Sequence, residues 1–156
     1  FETRRKISNS LKNKYLYDKE YKLKIKVART NQILPFKDSS IEIKIQNFLS
    51  ILHIEYFTHK YISEITHAYQ CDIFIPIQEG ISQKIIIECD GCFFHACKIC
   101  NFKITEWIEK RRNLDKIRTE ELLEKGIEVI RIWEHNIKKM ELNDLINILK
   151  QNRQIN

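Results

Sequence analysis

The stretch ECDGCFFHACKIC, residues 88–100, constrains this chain more than any other. It places two acids, one histidine and four of the five cysteines in thirteen positions, directly after the apolar residues Ile85, Ile86 and Ile87. Carboxylates, imidazoles and thiolates are the side chains with which proteins bind metal ions. The sequence therefore predicts a buried strand that ends in a metal-binding loop.

The composition is that of a globular chain with a basic N-terminal segment. The 156 residues are 43% hydrophobic and 31% charged, which suits one domain with a core. Residues 1–30 carry ten Lys or Arg against three acids, a net charge of +7, whereas the remainder carries −1. Such a block typically contacts a polyanion, although a solvated helix face has the same composition. Neither a membrane span nor a secretory signal is visible, so we expect an intracellular protein without a membrane partner.

Hydrophobic periodicity predicts an α/β fold of the α+β-like, mixed-sheet kind. Residues 1–30 are predicted to be helical in pieces, and Pro35 marks a boundary. We therefore expect a basic arm over residues 1–34 and a second domain over residues 35–156. The predicted elements of that domain are a helix over 40–52, strands over 54–65, 69–76 and 84–90, a helix over 105–125, a strand over 127–133 and a helix over 137–149. This order predicts a sheet of about four strands flanked by helices, with a hairpin at Gly80.

Several acids are expected to converge at one end of this sheet. Along the strand over 84–90, Glu88 and Asp90 point to one face and Cys89 to the other, because side chains alternate along a strand. Asp72 interrupts an apolar run, where an unpaired buried carboxylate costs roughly several kcal/mol. Clustered carboxylates are suitable ligands for Mg²⁺ or Mn²⁺.

The helices supply two more acids, each with a plainer alternative. Glu42 lies at the edge of a buried helical stripe, yet it also completes a capping box with Ser39. Asp115 has the helical phase of buried apolar residues, yet it is spaced for an ion pair with Arg111 or Arg118.

The cysteines indicate a second metal site. Cys92, Cys97 and Cys100 form a C-x4-C-x2-C pattern close to zinc spacing, and a tetrahedral site needs a fourth ligand. His135 follows the last strand and is the first candidate, with His95 as the alternative. Free thiols without a metal remain the other interpretation.

Three segments resemble the very-short-patch-repair endonucleases and the related EDxHD group of homing endonucleases, within the PD-(D/E)XK nuclease class. They are CDIFIP, ECDGCFFHACKIC and RRNLDKIRTEELLEKGIEVIRIWEHNI. A strand with a DGxxxH loop, a D-x-x-R helix and a G-x-x-VIRIWE strand follow one another as in that family. The resemblance implies a PD-(D/E)XK restriction-endonuclease-like core and Mg²⁺-dependent hydrolysis of DNA phosphodiester bonds.

The resemblance also implies roles for individual residues. Asp72 corresponds to the central metal ligand, the Cys89 backbone carbonyl to a second ligand, and His95 to the catalytic histidine. Glu42 and Asp115 correspond to the acids of the first and the long helix. A structural zinc is implied as well, with ligands at Cys92, Cys97, Cys100 and His135, although the position of Cys100 departs by one residue from the repair enzyme.

Two positions depart further from the repair enzyme. That enzyme has histidine at the position of Asp90 and no acid at that of Glu88, which places this chain nearer to ordinary PD-(D/E)XK nucleases. No lysine occupies the usual K position. We therefore expect Glu88, with Asp90 beside it, to complete the catalytic metal site.

The segment ETRRKISNSLKNK resembles a small DNA-binding motif repeated in phage and intron-encoded nucleases. The cations expected to bind DNA phosphates are Arg4, Arg5, Lys6, Lys12 and Lys14. The predicted function is thus a metal-dependent endonuclease of homing or very-short-patch-repair type, acting on double-stranded DNA. A zinc-stabilised DNA-binding module without catalytic activity is the rival, but clustered acids would repel phosphate without a cation.

Two expectations concern the assembly. Cleavage of both strands would need either a homodimer on DNA or two sequential nicks. The chain begins with Phe1 rather than Met, from which we expect a larger chain upstream.

Overall fold

The computed structural model describes residues 2–30, 37–100 and 103–151, with only the backbone described for residues 2–7. Contacts divide the chain into two compact units, residues 1–35 and 36–156. Pro35, the predicted boundary residue, lies outside the described residues.

The described part of the first unit contains two helices, Glu2–Tyr17 (α1) and Lys19–Thr30 (α2). They agree with the helical pieces predicted over residues 1–30. They meet at Asp18, whose carboxylate accepts the backbone N–H of Tyr21 at 2.9 Å and so satisfies a free donor at the start of α2. The ammonium of Lys14 lies 4.9 Å from the centre of the Tyr21 ring, which ties the two helices together.

The second unit is a mixed α/β structure. Its described helices and strands are Ser40–Ile51 (α3), Phe57–Thr58 (β1), Tyr61–Ile62 (β2), Tyr69–Gln70 (β3), Ile73–Ile75 (β4), Lys84–Asp90 (β5), Glu106–Glu124 (α4), Ile127–Trp133 (β6), Glu134–Lys139 (α5) and Leu142–Gln151 (α6). Within the described residues, four strands form one sheet in the order β1-β4-β5-β6, and β2 pairs with β3. The β5–β6 pair is parallel and the other pairs are antiparallel.

The strands predicted over 54–65 and 69–76 are wrong in one respect, because each is split between the two sheets. β1 pairs with β4, and β2 pairs separately with β3. The break falls at His59, whose φ of 51° lies in the left-handed region and turns the chain between β1 and β2. Pairing between distant segments therefore overrides a continuous β-type composition.

The hairpin and the buried strand agree with the sequence. β4 and β5 pair antiparallel, and Gly80 lies in the connection with a φ of 72°, a conformation that favours glycine. β5 covers the predicted residues and is buried at every position after Lys84. Its apolar side chains serve two clusters: Ile85 and Ile87 pack with residues of α3, α5 and α6, and Ile86 packs with residues of α4.

The helix bounds follow local signals. Ser39 and Glu42 form the predicted capping box at the start of α3. α4 begins after Thr105, whose side chain accepts the Ile108 N–H at 3.3 Å, and the chain leaves it at Gly126 with a φ of 69°. α4 lies across the sheet face to which Glu88 points, since its Leu122 packs in one cluster with Ile86, which shares that face of β5.

The single helix predicted over 137–149 is wrong. The chain instead forms α5 and α6, separated at Met140, whose backbone is extended with a ψ of 139°. The N–H of Glu141 donates to the carboxylate of Asp144 at 2.8 Å, which starts the second helix. The break lets buried residues of both helices, Ile137 and Leu145, join one core.

Candidate active site and metal centre

A cleft of about 560 Å³ lies against the carboxyl end of β5. All six residues that the sequence predicted to be catalytic line it, namely Glu42, Asp72, Glu88, Asp90, His95 and Asp115. They come from four separate segments: α3, the start of β4, β5 with its following loop, and α4. Ligand sites commonly lie just beyond strand ends, and this one follows that rule.

Asp72 immediately precedes β4 and turns toward β5. Its Oδ2 accepts the backbone N–H of Cys89 at 2.8 Å, which holds the Cys89 backbone beside the carboxylate. Burial raises the pKa of Asp72 to about 6, and the negative charges of Glu42 and Asp90 act in the same direction. The N–H of Cys89 and the imidazole of His59 act in the opposite direction, but burial outweighs them.

Glu88 is the more deeply buried acid, with 8% of its surface exposed. Its Oε1 accepts the hydroxyl of Tyr69 at 2.8 Å. Burial raises the pKa of Glu88 to about 8, with a further contribution from the charge of Asp72. Such a group binds a proton or a cation more readily than an exposed glutamate does.

Asp90 lies on the same face as Glu88, but an arginine neutralises it. The Nε and Nη2 atoms of Arg131 donate to the two carboxylate oxygens at 2.8 and 2.6 Å, a bidentate pair. Nη2 also lies 3.4 Å from Oδ2 of Asp115. The usual K position carries no lysine, and the cation at this end of β5 comes instead from Arg131 on the neighbouring strand β6.

His95 lies between the same two acids. Its Nε2 is 3.5 Å from Oδ1 of Asp90, and its Nδ1 is 3.4 Å from Oδ2 of Asp115. Although burial acts against it, the hydrogen bond from His95 and the charge of Arg131 hold the pKa of Asp115 below its usual value. Asp115 also forms the predicted i,i+3 ion pair, 3.7 Å from Arg118.

The two carboxylate oxygens of Glu42 have different surroundings. Its Oε1 completes the capping box by accepting the backbone N–H of Ser39 at 3.4 Å, and it also accepts the Ser39 hydroxyl at 2.5 Å. Its Oε2 is buried and makes no hydrogen bond within the described residues, and it lies 3.8 Å from Nε2 of His59. The capping role is therefore real, but it uses only one oxygen of the carboxylate.

Arg131 and His59 are site residues that the sequence analysis missed. Arg131 interrupts the apolar run IEVIRIW, the same signal that identified Asp72, and its register partner across the strands is Glu88. His59 carried no comparable signal, because it lies in an irregular segment between two short strands.

The structure brings His135, rather than His95, to the three cysteines of the loop. Nδ1 of His135 lies 3.2, 3.5 and 3.7 Å from the sulfur atoms of Cys92, Cys97 and Cys100. All four ligand atoms lie within 4.8 Å of one another. Tetrahedral zinc with Zn–S and Zn–N bonds of usual length separates sulfur from nitrogen by about 3.6 Å. The cluster therefore fits zinc in donor type and spacing.

Neighbouring bonds hold this cluster in place. The N–H of Cys97 donates to the carbonyl of Cys92 at 2.9 Å, closing the loop. Glu134, at the start of α5, accepts the N–H of Cys92 at 2.9 Å. The ring of His135 stacks on that of Trp133, at an interplanar angle of 18°.

The cations predicted to bind DNA lie on α1. Lys12 and Lys14 are exposed there. The side chains of Arg4, Arg5 and Lys6 lie outside the described residues, so the structure adds nothing to that part of the prediction.

No protein-family model matches the chain. The chain is 28% identical to the Type II nicking enzyme V.NaeI of Lentzea aerocolonigenes, in a 99-residue alignment that covers 53% of this chain and 57% of that enzyme. The chain thus matches just over half of the relative's length. None of the described helices is long and apolar enough to cross a membrane.

Proposed function

We propose that this protein is a metal-dependent DNA endonuclease of the PD-(D/E)XK class, near the very-short-patch-repair and EDxHD homing enzymes. The observation that carries the proposal is the pair of carboxylates, Asp72 and Glu88, with raised pKa values in a cleft that also contains a histidine. The similarity to a nicking enzyme supports the same chemistry.

The residues that would hold Mg²⁺ or Mn²⁺ are Asp72 and Glu88, with the Cys89 carbonyl beside them. Each carboxylate uses one oxygen in a hydrogen bond, and we assign the other oxygen to the cation. Hard oxygen ligands of this kind suit both ions. When bound, the cation would polarise the scissile phosphate and supply a more acidic water.

His95 is the group we assign to proton transfer. Carboxylates at 3.4 and 3.5 Å flank both of its ring nitrogens, which fixes the plane of the imidazole. From that position His95 can give a proton to the leaving oxygen of the cleaved bond. Arg131 holds Asp90 and Asp115 in place around the ring, and so acts as a positioning residue.

The cysteine cluster has a structural role in this proposal. Cys92 and Cys100 lie on either side of His95 in the chain, and both reach His135 at the start of α5. Zinc bound there would close the loop that carries His95 and hold it over the acids. It would take no part in the chemistry.

The N-terminal unit is the proposed DNA-binding arm. Its exposed Lys12 and Lys14 belong to a segment with a net charge of +7. Neutralising phosphates with such side chains releases counterions, so binding should weaken steeply as salt is raised.

Plasmid cleavage tests the proposal. With Mg²⁺ the protein should convert supercoiled DNA to nicked or linear forms, and omission of Mg²⁺ should stop the reaction while leaving the zinc in place. Asp72→Asn and His95→Ala should each lower the rate by at least about a hundredfold, as expected for loss of a metal ligand or a proton donor. His53→Asn, at an exposed histidine outside the cleft, is the control.

The outcomes distinguish the nuclease hypothesis from the hypothesis of a zinc-stabilised binding module. If Asp72→Asn cleaved DNA at the wild-type rate, the assignment of the metal site would be refuted. Tight DNA binding by the wild-type protein without any Mg²⁺-dependent cleavage would instead favour the zinc-stabilised binding module. The ratio of nicked to linear product reports whether one strand or both are cut.

A further inference from the structure

A further group of potential metal ligands lies apart from the cysteine cluster and from Asp72 and Glu88. Asp38, Glu42 and His59 each offer one ligand atom, and these atoms lie within 4.8 Å of one another. Nε2 of His59 is 2.5 Å from Oδ1 of Asp38 and 3.8 Å from Oε2 of Glu42. The three side chains come from the segment before α3, from α3 and from the turn after β1, so tertiary folding is what brings them together.

The Glu42 oxygen that faces this group is unsatisfied. Oε2 is buried and makes no hydrogen bond within the described part of the chain, whereas Oε1 is used by the capping box. A buried carboxylate oxygen without a partner is costly, and such an atom normally indicates an absent partner. The atom points toward an imidazole nitrogen, which suggests that the partner is shared with His59.

We propose that Asp38, Glu42 and His59 bind a divalent first-row cation, in a site separate from the cysteine cluster and from Asp72 with Glu88. Two carboxylates and one imidazole form a mixed oxygen and nitrogen set, which favours Mn²⁺ or a similar transition ion over Mg²⁺. The cation would take the place of the hydrogen bond between His59 and Asp38, and it would give Oε2 of Glu42 its missing partner.

The site adjoins the proposed catalytic acid. The backbone N–H of His59 donates to the carbonyl of Asp72 at 3.1 Å, and Glu42 lines the same cleft as Asp72. A cation here would compensate negative charge that Glu42 places near Asp72. Its use in catalysis rests on the proposed nuclease function, but the binding of the ion does not.

The test measures Mn²⁺ binding by the full-length, zinc-loaded protein, from the loss of the electron paramagnetic resonance signal of the free ion. His59→Asn removes the imidazole, and Asn tolerates the left-handed backbone at this position. His53→Asn is a matched control, because His53 is a second histidine with a left-handed φ, 54°, and it lies outside the group. Asp38→Asn is a nearly isosteric second variant in case His59→Asn disturbs the fold.

The expected result is that His59→Asn and Asp38→Asn each bind one fewer Mn²⁺ per chain than the wild type, while His53→Asn binds the same number. Asp72→Asn should keep this ion, and Mn²⁺ should broaden the His59 ring resonances in that variant. Equal Mn²⁺ binding by the wild type, His59→Asn and Asp38→Asn would overturn the proposal. If Asp72→Asn loses no ion, the proposed catalytic metal site fails while the Asp38–Glu42–His59 site stands.

Discussion

Replacing Glu88 by Gln is expected to remove a proposed metal ligand and yet stabilise the fold above neutral pH. Burial holds the pKa of Glu88 at about 8 in the folded protein, against an ordinary value of 4.5. Between these values the unfolded chain has lost the proton and the folded chain keeps it. The contribution of Glu88 to the stability of the wild type is therefore fully present below pH 4.5 and falls as the pH rises toward about 8.

The size of the effect follows from the same two values. One pKa unit corresponds to about 1.36 kcal/mol, so a rise from 4.5 to about 8 corresponds to at most about 5 kcal/mol. Glutamine keeps an oxygen for the Tyr69 hydroxyl but adds a buried NH₂ group, at a cost of about 1–3 kcal/mol. The net gain at pH 9 is then about 2–4 kcal/mol. At pH 5 the NH₂ cost exceeds the gain, and Glu88→Gln should be slightly less stable than the wild type.

Urea unfolding from pH 5 to 9, without added Mg²⁺, measures this difference. The difference between Glu88→Gln and the wild type should change sign near pH 6 and grow by up to about 1.4 kcal/mol per pH unit until about pH 8. Glu79→Gln, in an exposed turn, controls for the loss of a charge and should give a flat difference. A constant difference between Glu88→Gln and wild type at every pH would show that Glu88 is not a buried acid with a raised pKa.

Three further predictions concern the groups around the cleft. Arg131→Met should destabilise the fold by about 3–5 kcal/mol in urea unfolding, because it leaves Asp90 buried without its cation; a loss below about 1 kcal/mol would contradict the pairing. Cys97→Ser should release zinc, measured by a colorimetric chelator, and open the loop to proteolysis; unchanged zinc content would remove Cys97 from the ligand set. Ser39→Ala should lower the free energy of unfolding by about 1 kcal/mol, because it removes the capping box. Ser40→Ala, one residue further along, is the matched control, and an equal loss in both variants would refute the cap.

The elements that the sequence determined by itself are those with strong local signals. A continuous apolar run predicted β5, and the run IEVIRIW predicted β6, because buried parallel strands carry apolar residues on both faces. The capping box at Ser39 and the glycine at Gly126 located the ends of α3 and α4. Alternation along β5 placed Glu88 and Asp90 on one face, and the structure has them there.

Tertiary structure decided what depends on partners distant in the chain. The run over 54–65 is β-rich throughout, but only its pairing with β3 and β4 shows that it divides at His59. Likewise, Met140 interrupts a helical pattern because separate helices on either side bury both Ile137 and Leu145. Periodicity describes one segment at a time and contains no information about which segment lies opposite.

The same reason explains which parts of the candidate site the sequence predicted and which it did not. Sequence alone named five acids of the cleft, His95, His135 and the thiols of the loop, because each type has its own metal or proton chemistry. It could not assign Arg131 to Asp90, 41 positions away, or His59 to Asp38, 21 positions away. A buried charge is stabilised by whatever group the fold places within about 3 Å of it, and only the folded chain defines that distance.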